Sequence, residues 1–370
     1  MQSAGNDDLL SQALAAWERR DAALARELFR SLDALPAAAA LPAAQAEWAA
    51  GDYAAALRAF AHACALQPAD QATAVAQAQA LVACGQAPQA LAQLRQWRAM
   101  HPRTAEQWPL PEFLSLVWRL DDEAITTIAP DLEQLAQAAP ALEFISAAML
   151  ARAWIDRRHA IPMQWPSPAA QARWDSLLAS FNEDRPPRCF GTAAGLRRAA
   201  ETEAMVAGLV IECGVYHGLS LRQWQPGHDG MVHGFDSFQG LPQDWTAREA
   251  AGALSTGGRQ PELPAHCRLW PGWFKDSLPP FLATHRANIR LLHVDCDVYS
   301  STVDVLEAVA TRLVQGTVIV FDDYDGYPGY AQHERRAWHE FLRRHGWRCR
   351  SLGNVFMGRE AAFQLLSREC

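Results

Sequence analysis

The feature that most limits the fold of this chain is an alternation of short apolar runs with helix-like stretches, which begins near residue 190. Five runs have the character of buried strands: residues 208–213, 231–236, 267–272, 289–295 and 316–323. Helical candidates lie between them at 220–224, 274–285 and 301–313, and a helix with a closing pair of strands at the sheet edge follows over 334–367. Crossover connections of this kind place strands parallel and cover both faces of the sheet. The sequence therefore predicts an α/β fold with a doubly wound parallel sheet.

Acidic residues directly follow two neighbouring runs. Asp295 and Asp297 end the fourth run, and Asp322 and Asp323 end the fifth. Because the carboxyl ends of parallel strands share one edge of a sheet, we expect these four carboxylates to converge. Without a counter-charge they would repel and raise each other's pKa values, and a hard divalent cation such as Mg²⁺ removes that cost. The alternative is that Asp297 caps a helix and Asp323 belongs to a turn.

A glycine-containing turn follows the first run. Residues 212–220 read Glu-Cys-Gly-Val-Tyr-His-Gly-Leu-Ser and are predicted to open a helix, where glycines let the backbone approach a ligand. The pattern is neither a dinucleotide fingerprint nor a phosphate-binding loop, and an acid two residues before Gly214 suits a cationic ligand. A purely structural turn is the alternative.

Asp236 ends the second run, about twenty residues after the glycine turn. A carboxylate in this place can accept hydrogen bonds from two ribose hydroxyls. The alternative is a solvated acid in a turn.

The N-terminal part repeats, since Gly85 lies 34 residues after Gly51. The pairs Ala56 and Ala90, and Pro68 and Pro102, share this spacing. Small residues let helices approach closely and proline ends a helix, so the pattern resembles the tetratricopeptide repeat, with an alanine-rich helical bundle as the alternative. We expect helical repeats over residues 1–110, a helical connector over 111–185 and the α/β domain over 186–370.

Composition and charge exclude several classes. No apolar run of about 18 residues is present, so no membrane span is expected, and the first residues lack the pattern of a signal peptide. A net charge of −8, with no basic surplus in either half, argues against a nucleic-acid partner. The eight cysteines form no C-x-x-C pair, so we expect no structural zinc site and a cytoplasmic location.

Five segments of the α/β part occur in order: IECGVYHGLSL, HGFDSFQGLP, LWPGWFKDSLP, LLHVDCDVYSST and IVFDDYDGYPG. Together they resemble the macrocin O-methyltransferase family, metal-dependent enzymes with a class I, Rossmann-like fold that methylate sugar hydroxyls of antibiotics and related natural products. The resemblance covers about residues 186–370. It implies transfer of a methyl group from S-adenosylmethionine to a hydroxyl of a sugar, a sugar-bearing natural product or a glycan, with Mg²⁺ as the metal.

The resemblance also implies roles for particular residues. Cofactor-binding positions fall on Glu212, Gly214, Tyr216, Gly218, Ser220, Asp236, Ser237, Phe238, Gly272, Trp273, Phe274 and Asp295. Metal ligands fall on Asp295, Asp322 and Asp323, and the catalytic general base falls on Asp297. Leu219 departs from the pattern, because the family usually has a second glycine there.

The implied mechanism fits the chemistry of an aliphatic hydroxyl, whose pKa lies far above neutrality. Mg²⁺ lowers that pKa and Asp297 removes the proton. A scaffold with an inactive methyltransferase domain and a catechol-type O-methyltransferase remain as alternatives, although Tyr324 stands where the catechol type is expected to have asparagine. The repeats are expected to bind a protein partner or to self-associate.

Overall fold

The computed structural model describes residues 2–19, 21–102, 109–155, 164–180 and 188–368. The chain divides into two compact units, Met1–Ser115 and Leu116–Cys370. The range predicted as a connector therefore groups with the α/β part from Leu116 onward. The boundary predicted at 185/186 lies outside the described residues.

The first unit is built of helices that pair in sequence order. They are α1 (Gln2–Glu18), α2 (Ala22–Arg30), α3 (Ala37–Ala49), α4 (Tyr53–Leu66), α5 (Gln71–Ala83) and α6 (Ala87–Met100), and α7 (Leu110–Trp118) crosses into the second unit. The side chains of Asp21, Asp52 and Asp70 accept a backbone hydrogen bond at the starts of α2, α4 and α5. Such caps satisfy N–H groups that have no partner inside the helix.

The repeated residues occupy equivalent places in this unit. Gly51 and Gly85 have φ values of 79° and 77° between α3 and α4 and between α5 and α6. Ala56 and Ala90 are fully buried, as close helix packing requires. The assignment of these helices to tetratricopeptide repeats stays a prediction.

The second unit begins with further helices and continues into an eight-stranded sheet. The helices are α8 (Ile125–Ala138), α9 (Leu142–Ile155) and α10 (Pro168–Ser180). The strands are β1 (Arg188–Phe190), β2 (Leu209–Cys213), β3 (Val232–Asp236), β4 (Cys267–Pro271), β5 (Ile289–Val294), β6 (Val318–Phe321), β7 (Trp347–Val355) and β8 (Ala361–Arg368). Their spatial order is β1-β7-β8-β6-β5-β2-β3-β4, and β8 alone runs antiparallel to its neighbours. The predicted α/β fold is confirmed.

Helices cover both faces of this sheet. They are α11 (Ala193–Glu203), α12 (Phe274–Thr284), α13 (Tyr299–Val309) and α14 (Glu334–His345). Alternate strand residues such as Leu292 and Phe321 pack with α12, α13 and α14, while Leu291 and Val320 pack with α11. Because successive residues of a strand point to opposite faces, strands buried on both sides become continuous apolar runs. That is the signal from which they were predicted.

Two details of the sequence prediction are wrong. The helix expected over 220–224 is a single 3₁₀ turn, Leu221–Gln223, because Pro226 follows too closely for an α-helix to continue. The closing pair β7 and β8 does not form the edge, since β1 pairs in parallel with β7 outside it. A strand of three residues is too short to leave a periodic pattern in the sequence.

Among the described residues, we find no helix with both the length and the apolar character that crossing a membrane requires.

Asp121, which follows α7, is hydrogen-bonded to the segment between β1 and α11. Its carboxylate accepts hydrogen bonds from Gly191 N at 2.9 Å, Thr192 N at 3.0 Å and Thr192 Oγ1 at 2.6 Å. Thr192 in turn accepts from Gly195 N at the start of α11. The Asp121 side chain is 3% exposed, so these bonds are shielded from water.

We expect Asp121→Ala to lower the free energy of unfolding by about 3 kcal/mol, because it leaves buried N–H groups without an acceptor. For a unit of this size the melting temperature should fall by roughly 5–10 °C in calorimetry. The exposed neighbour Asp122 supplies the control, and Asp122→Ala should change stability by about 0.5 kcal/mol at most. Equal losses in the two variants would contradict the role given to Asp121.

Candidate active site

The chain reverses its direction across the sheet between β2 and β5, and the candidate site lies at the carboxyl ends of these strands. Ligands of doubly wound sheets bind at such a switch point. Gly214 follows β2 with φ of 95°, and Asp295 N donates to Cys213 O at 2.8 Å. A Cβ atom on Gly214 would lie 1.7 Å from Asp295 O. Only glycine therefore permits this approach of the two loops.

A cavity that is open to solvent lies at this point, and the space between its walls, open solvent included, is about 690 Å³. Its lining comprises Gly214, Val215, Tyr216, Asp236, Ser237, Gly240, Leu241, Pro242, Leu254, Gly272, Trp273, Phe274, Asp295, Cys296, Asp297 and Ser301. Three of the large apolar side chains that stay exposed in the described part of the chain, Tyr216, Leu254 and Trp273, are among them. Exposed apolar surface beside a few polar groups is typical of ligand pockets.

Most of the predicted cofactor residues meet in this cavity. Gly214, Tyr216, Asp236, Ser237, Gly272, Trp273, Phe274 and Asp295 line it, together with the predicted base Asp297. Their sequence segments follow four different strands, β2 to β5. The fold thus gathers residues that the motifs only place in order along the chain.

Four predicted cofactor residues are not part of the lining. Phe238 is 1% exposed and packs in the core beside α11. Ser220 precedes the 3₁₀ turn, and a Cβ on Gly218 would lie 2.7 Å from Leu263 Cδ2. Glu212 is fully buried. Leu219, the departure from the family pattern, is also absent from the lining.

Asp236 holds the glycine turn in place. Its Oδ2 accepts from Val215 N and Tyr216 N, both at 2.8 Å, and Oδ1 accepts from Phe238 N at 2.7 Å. The N–H groups of Val215 and Tyr216 are therefore satisfied by a side chain and are not available to a ligand. A carboxylate has about four acceptor sites, so one remains for a ligand hydroxyl.

Asp295, Asp322 and Asp323 converge at the ends of β5 and β6, with one carboxylate oxygen of each within 4.8 Å of the others. Burial, followed by the charge of Asp322, raises the pKa values of Asp295 and Asp323 well above their usual range. Hard oxygen donors at this spacing match the preference of Mg²⁺. The three residues therefore fit the predicted metal.

Asp297 lies beside this cluster and is 8% exposed. Burial, followed by the charge of Asp322, raises its pKa to about 7. The helix-cap alternative is wrong for this residue, because α13 begins at Tyr299 with Val298 at the N-cap position. Its φ of 60° is unusual for a residue with a side chain and is maintained by the surrounding contacts.

Glu334 and Arg359 complete the site and were not found from the sequence. Glu334 is fully buried at the start of α14. Its Oε1 accepts from Cys296 N at 2.9 Å and Asp297 N at 3.2 Å, and its Oε2 accepts from Asp323 N at 3.1 Å. Arg359 donates to Asp323 Oδ1 at 2.9 Å. One carboxylate thus joins the two acidic loops, and no local pattern marks it.

Residues 211–324, which run from β2 to just beyond β6, match the family model described as a methyltransferase domain. The match lies within the second unit and contains the glycine turn and the four aspartates.

Curated relatives extend this result. The chain is 32% identical over 143 residues to the 8-demethyl-8-(2,3-dimethoxy-alpha-L-rhamnosyl)-tetracenomycin-C 4'-O-methyltransferase of Streptomyces olivaceus, over 32% of this chain and 54% of that protein. It is 31% identical over 169 residues to the mycinamicin III 3''-O-methyltransferase of Micromonospora griseorubida, over 38% of this chain and 63% of that protein. The solved structure of the O-methyltransferase NovP shares 25% identity over 46% of this chain and 78% of its own, with a TM-score of 0.36.

The relationship to O-methyltransferases that the five segments indicated is confirmed. The chain spans between about half and just under two thirds of the length of the two curated relatives.

We expect Glu334→Gln to loosen both loops around the methyltransferase site, because an amide NH₂ cannot accept and at least one backbone N–H loses its acceptor. The cost should be about 1–3 kcal/mol of unfolding free energy. Hydrogen–deuterium exchange should accelerate in peptides containing Cys296, Asp297 and Asp323. Asp276→Asn, at an exposed acid on α12, is the control and should leave these peptides unchanged. Unchanged protection in Glu334→Gln would refute the link.

Proposed function

We propose that this protein is a Mg²⁺-dependent O-methyltransferase that moves a methyl group from S-adenosylmethionine to a hydroxyl of a sugar or of a sugar-bearing natural product or glycan. One observation carries the proposal. Asp295 belongs both to the lining of the cavity beside the glycine turn and to the cluster of three carboxylates. A donor pocket and a cation site therefore share a side chain.

The lining of the cavity suits the donor chemically. Trp273 and Phe274 offer aromatic surface for a purine ring, and Asp236 retains acceptor capacity for a ribose hydroxyl. Asp295 and Asp297 supply negative charge for a cationic sulfonium. These residues would hold S-adenosylmethionine, while Glu212, Gly218, Ser220 and Phe238 would shape the walls from behind.

Asp295, Asp322 and Asp323 would hold the metal. A bound Mg²⁺ supplies Lewis acidity that lowers the pKa of an acceptor hydroxyl. Asp297 lines the cavity beside these ligands and would take the hydroxyl proton on its carboxylate. The hydrogen bonds from Cys296 N and Asp297 N to Glu334 keep this loop fixed during the reaction.

A sugar acceptor is favoured by the relatives. The relative from Streptomyces olivaceus is named for a rhamnosyl-bearing substrate. The names of both relatives give a primed oxygen as the methylated position. For the first unit we propose a role in binding a protein partner or a second copy of the chain through its helix pairs. We also propose a cytoplasmic setting.

We expect methyl transfer to require a divalent cation. Protein stripped with EDTA and dialysed should lose at least about 100-fold in rate, and Mg²⁺ should restore it. Transfer of radioactive methyl groups can be followed against sugar nucleotides, glycosides, lipid-linked glycans and a catechol. An undiminished rate after stripping would remove the metal from the proposal, and activity on the catechol alone would favour the catechol-type alternative.

We expect Asp297→Asn to lower the turnover number by about 10²- to 10⁴-fold while donor binding by calorimetry is retained, because the amide cannot accept the proton. Asp304→Asn, an exposed acid on α13, is the matched control and should keep full activity. A wild-type protein that binds the donor but transfers no methyl group to any acceptor would support the scaffold alternative instead.

A further inference from the structure

Glu212 is the acid of the first motif, yet it lies beneath the cavity and not in its wall. It is fully buried in β2, and the register pairs it with His293 of β5. Its Oε2 accepts from Trp224 Nε1 and from His293 Nδ1, each at 2.8 Å. Oε2 of Glu212 is therefore occupied by the side chains of Trp224 and His293 and is not directed at a cofactor.

His293 continues this line of contacts toward the metal cluster. Its ring is fully buried, and Nε2 lies 3.7 Å from Asp322 Oδ1. This separation exceeds a hydrogen bond, but a small shift of the Asp322 carboxylate closes it. Glu212, His293 and Asp322 thus form a continuous path from the core to the edge of the sheet.

A purely structural role explains this path poorly. Glu212 Oε1 and His293 Nε2 are buried and have no hydrogen-bond partner among the described residues. Each unsatisfied buried polar atom costs about 1–3 kcal/mol, so apolar side chains would serve the sheet better. Among the described residues, His293 Nε2 faces the charged side chain of Asp322 at 3.7 Å.

We propose that Glu212 and His293 act as a buried brace that orients Asp322 for the divalent cation, and that Glu212 does not contact the cofactor. The inference rests on the proposed function, since it needs a cation at Asp322. Groups behind metal ligands fix ligand orientation in this way, and their loss typically costs 10- to 100-fold in metal affinity. Glu212 and His293 are positioning residues, because they act through Asp322.

Two affinities of the full-length protein separate this role from the alternatives. Mn²⁺ binding is measured by electron paramagnetic resonance, and S-adenosylhomocysteine binding is measured by calorimetry without metal. In His293→Gln and in the shape-conserving Glu212→Gln, we expect the Mn²⁺ dissociation constant to rise at least about 10-fold. The dissociation constant for S-adenosylhomocysteine should stay within about twofold of wild type.

Trp224→Phe is the matched control, because it removes the other donor to Glu212 and leaves the Glu212–His293 bond in place. It should bind Mn²⁺ as wild type does. An equal loss in this variant would show a general effect of core packing and overturn the brace. Circular dichroism identifies folded variants, and Glu212→Gln carries the test if His293→Gln does not fold.

Two further results also overturn the inference. Unchanged Mn²⁺ affinity in both brace variants would make the contact with Asp322 inconsequential. A loss confined to S-adenosylhomocysteine affinity in Glu212→Gln would return this residue to the cofactor site. Failure of the proposed function is recognisably different, because the wild-type protein itself would then bind neither Mn²⁺ nor S-adenosylhomocysteine.

Discussion

The crowding of carboxylates at the ends of β5 and β6 is the constraint on which the rest of the site depends. Burial, followed by the charges of the neighbouring carboxylates, raises the pKa values of Asp295, Asp297, Asp323 and Glu334, and Asp322 is the exception. Burial opposes the charged form of Asp322, but His293 and neighbouring arginines outweigh burial and lower its pKa. Three backbone N–H groups on Glu334 and Arg359 on Asp323 offset part of the cost. The remaining negative charge faces a space suited to a dication.

The doubly wound topology explains why the charge lies beside a pocket. The chain crosses from β2 outward to β4 and then returns to β5 on the other side of β2. That reversal separates the loops after β2 and β5 enough to open a cavity, while Gly214 and Asp295 remain in backbone contact at its base. The cavity and the acidic cluster are therefore consequences of one strand order.

Sequence reasoning succeeded where the signal is local. The strands left apolar runs, and the aspartates followed them directly, so both could be predicted from neighbouring residues. The contacts of Glu334 and Glu212 could not be predicted in this way, because Cys296 lies 38 residues from Glu334 and His293 lies 81 residues from Glu212 along the chain. The sequence predicts only a ligand contact for Asp236. Its hydrogen bonds to the glycine turn arise from the pairing of β2 with β3, which a local pattern does not reveal. The helix predicted after that turn does not form, because Pro226 follows too closely for an α-helix to continue.

We infer that Asp295, Asp322 and Asp323 hold a divalent cation at the edge of the cavity. Anomalous scattering from crystals grown with Mn²⁺ and S-adenosylhomocysteine tests it most directly. We expect one strong peak at bonding distance from oxygens of Asp295, Asp322 and Asp323, next to the occupied pocket. A filled pocket with no peak between these carboxylates, or a peak bound elsewhere, would contradict it.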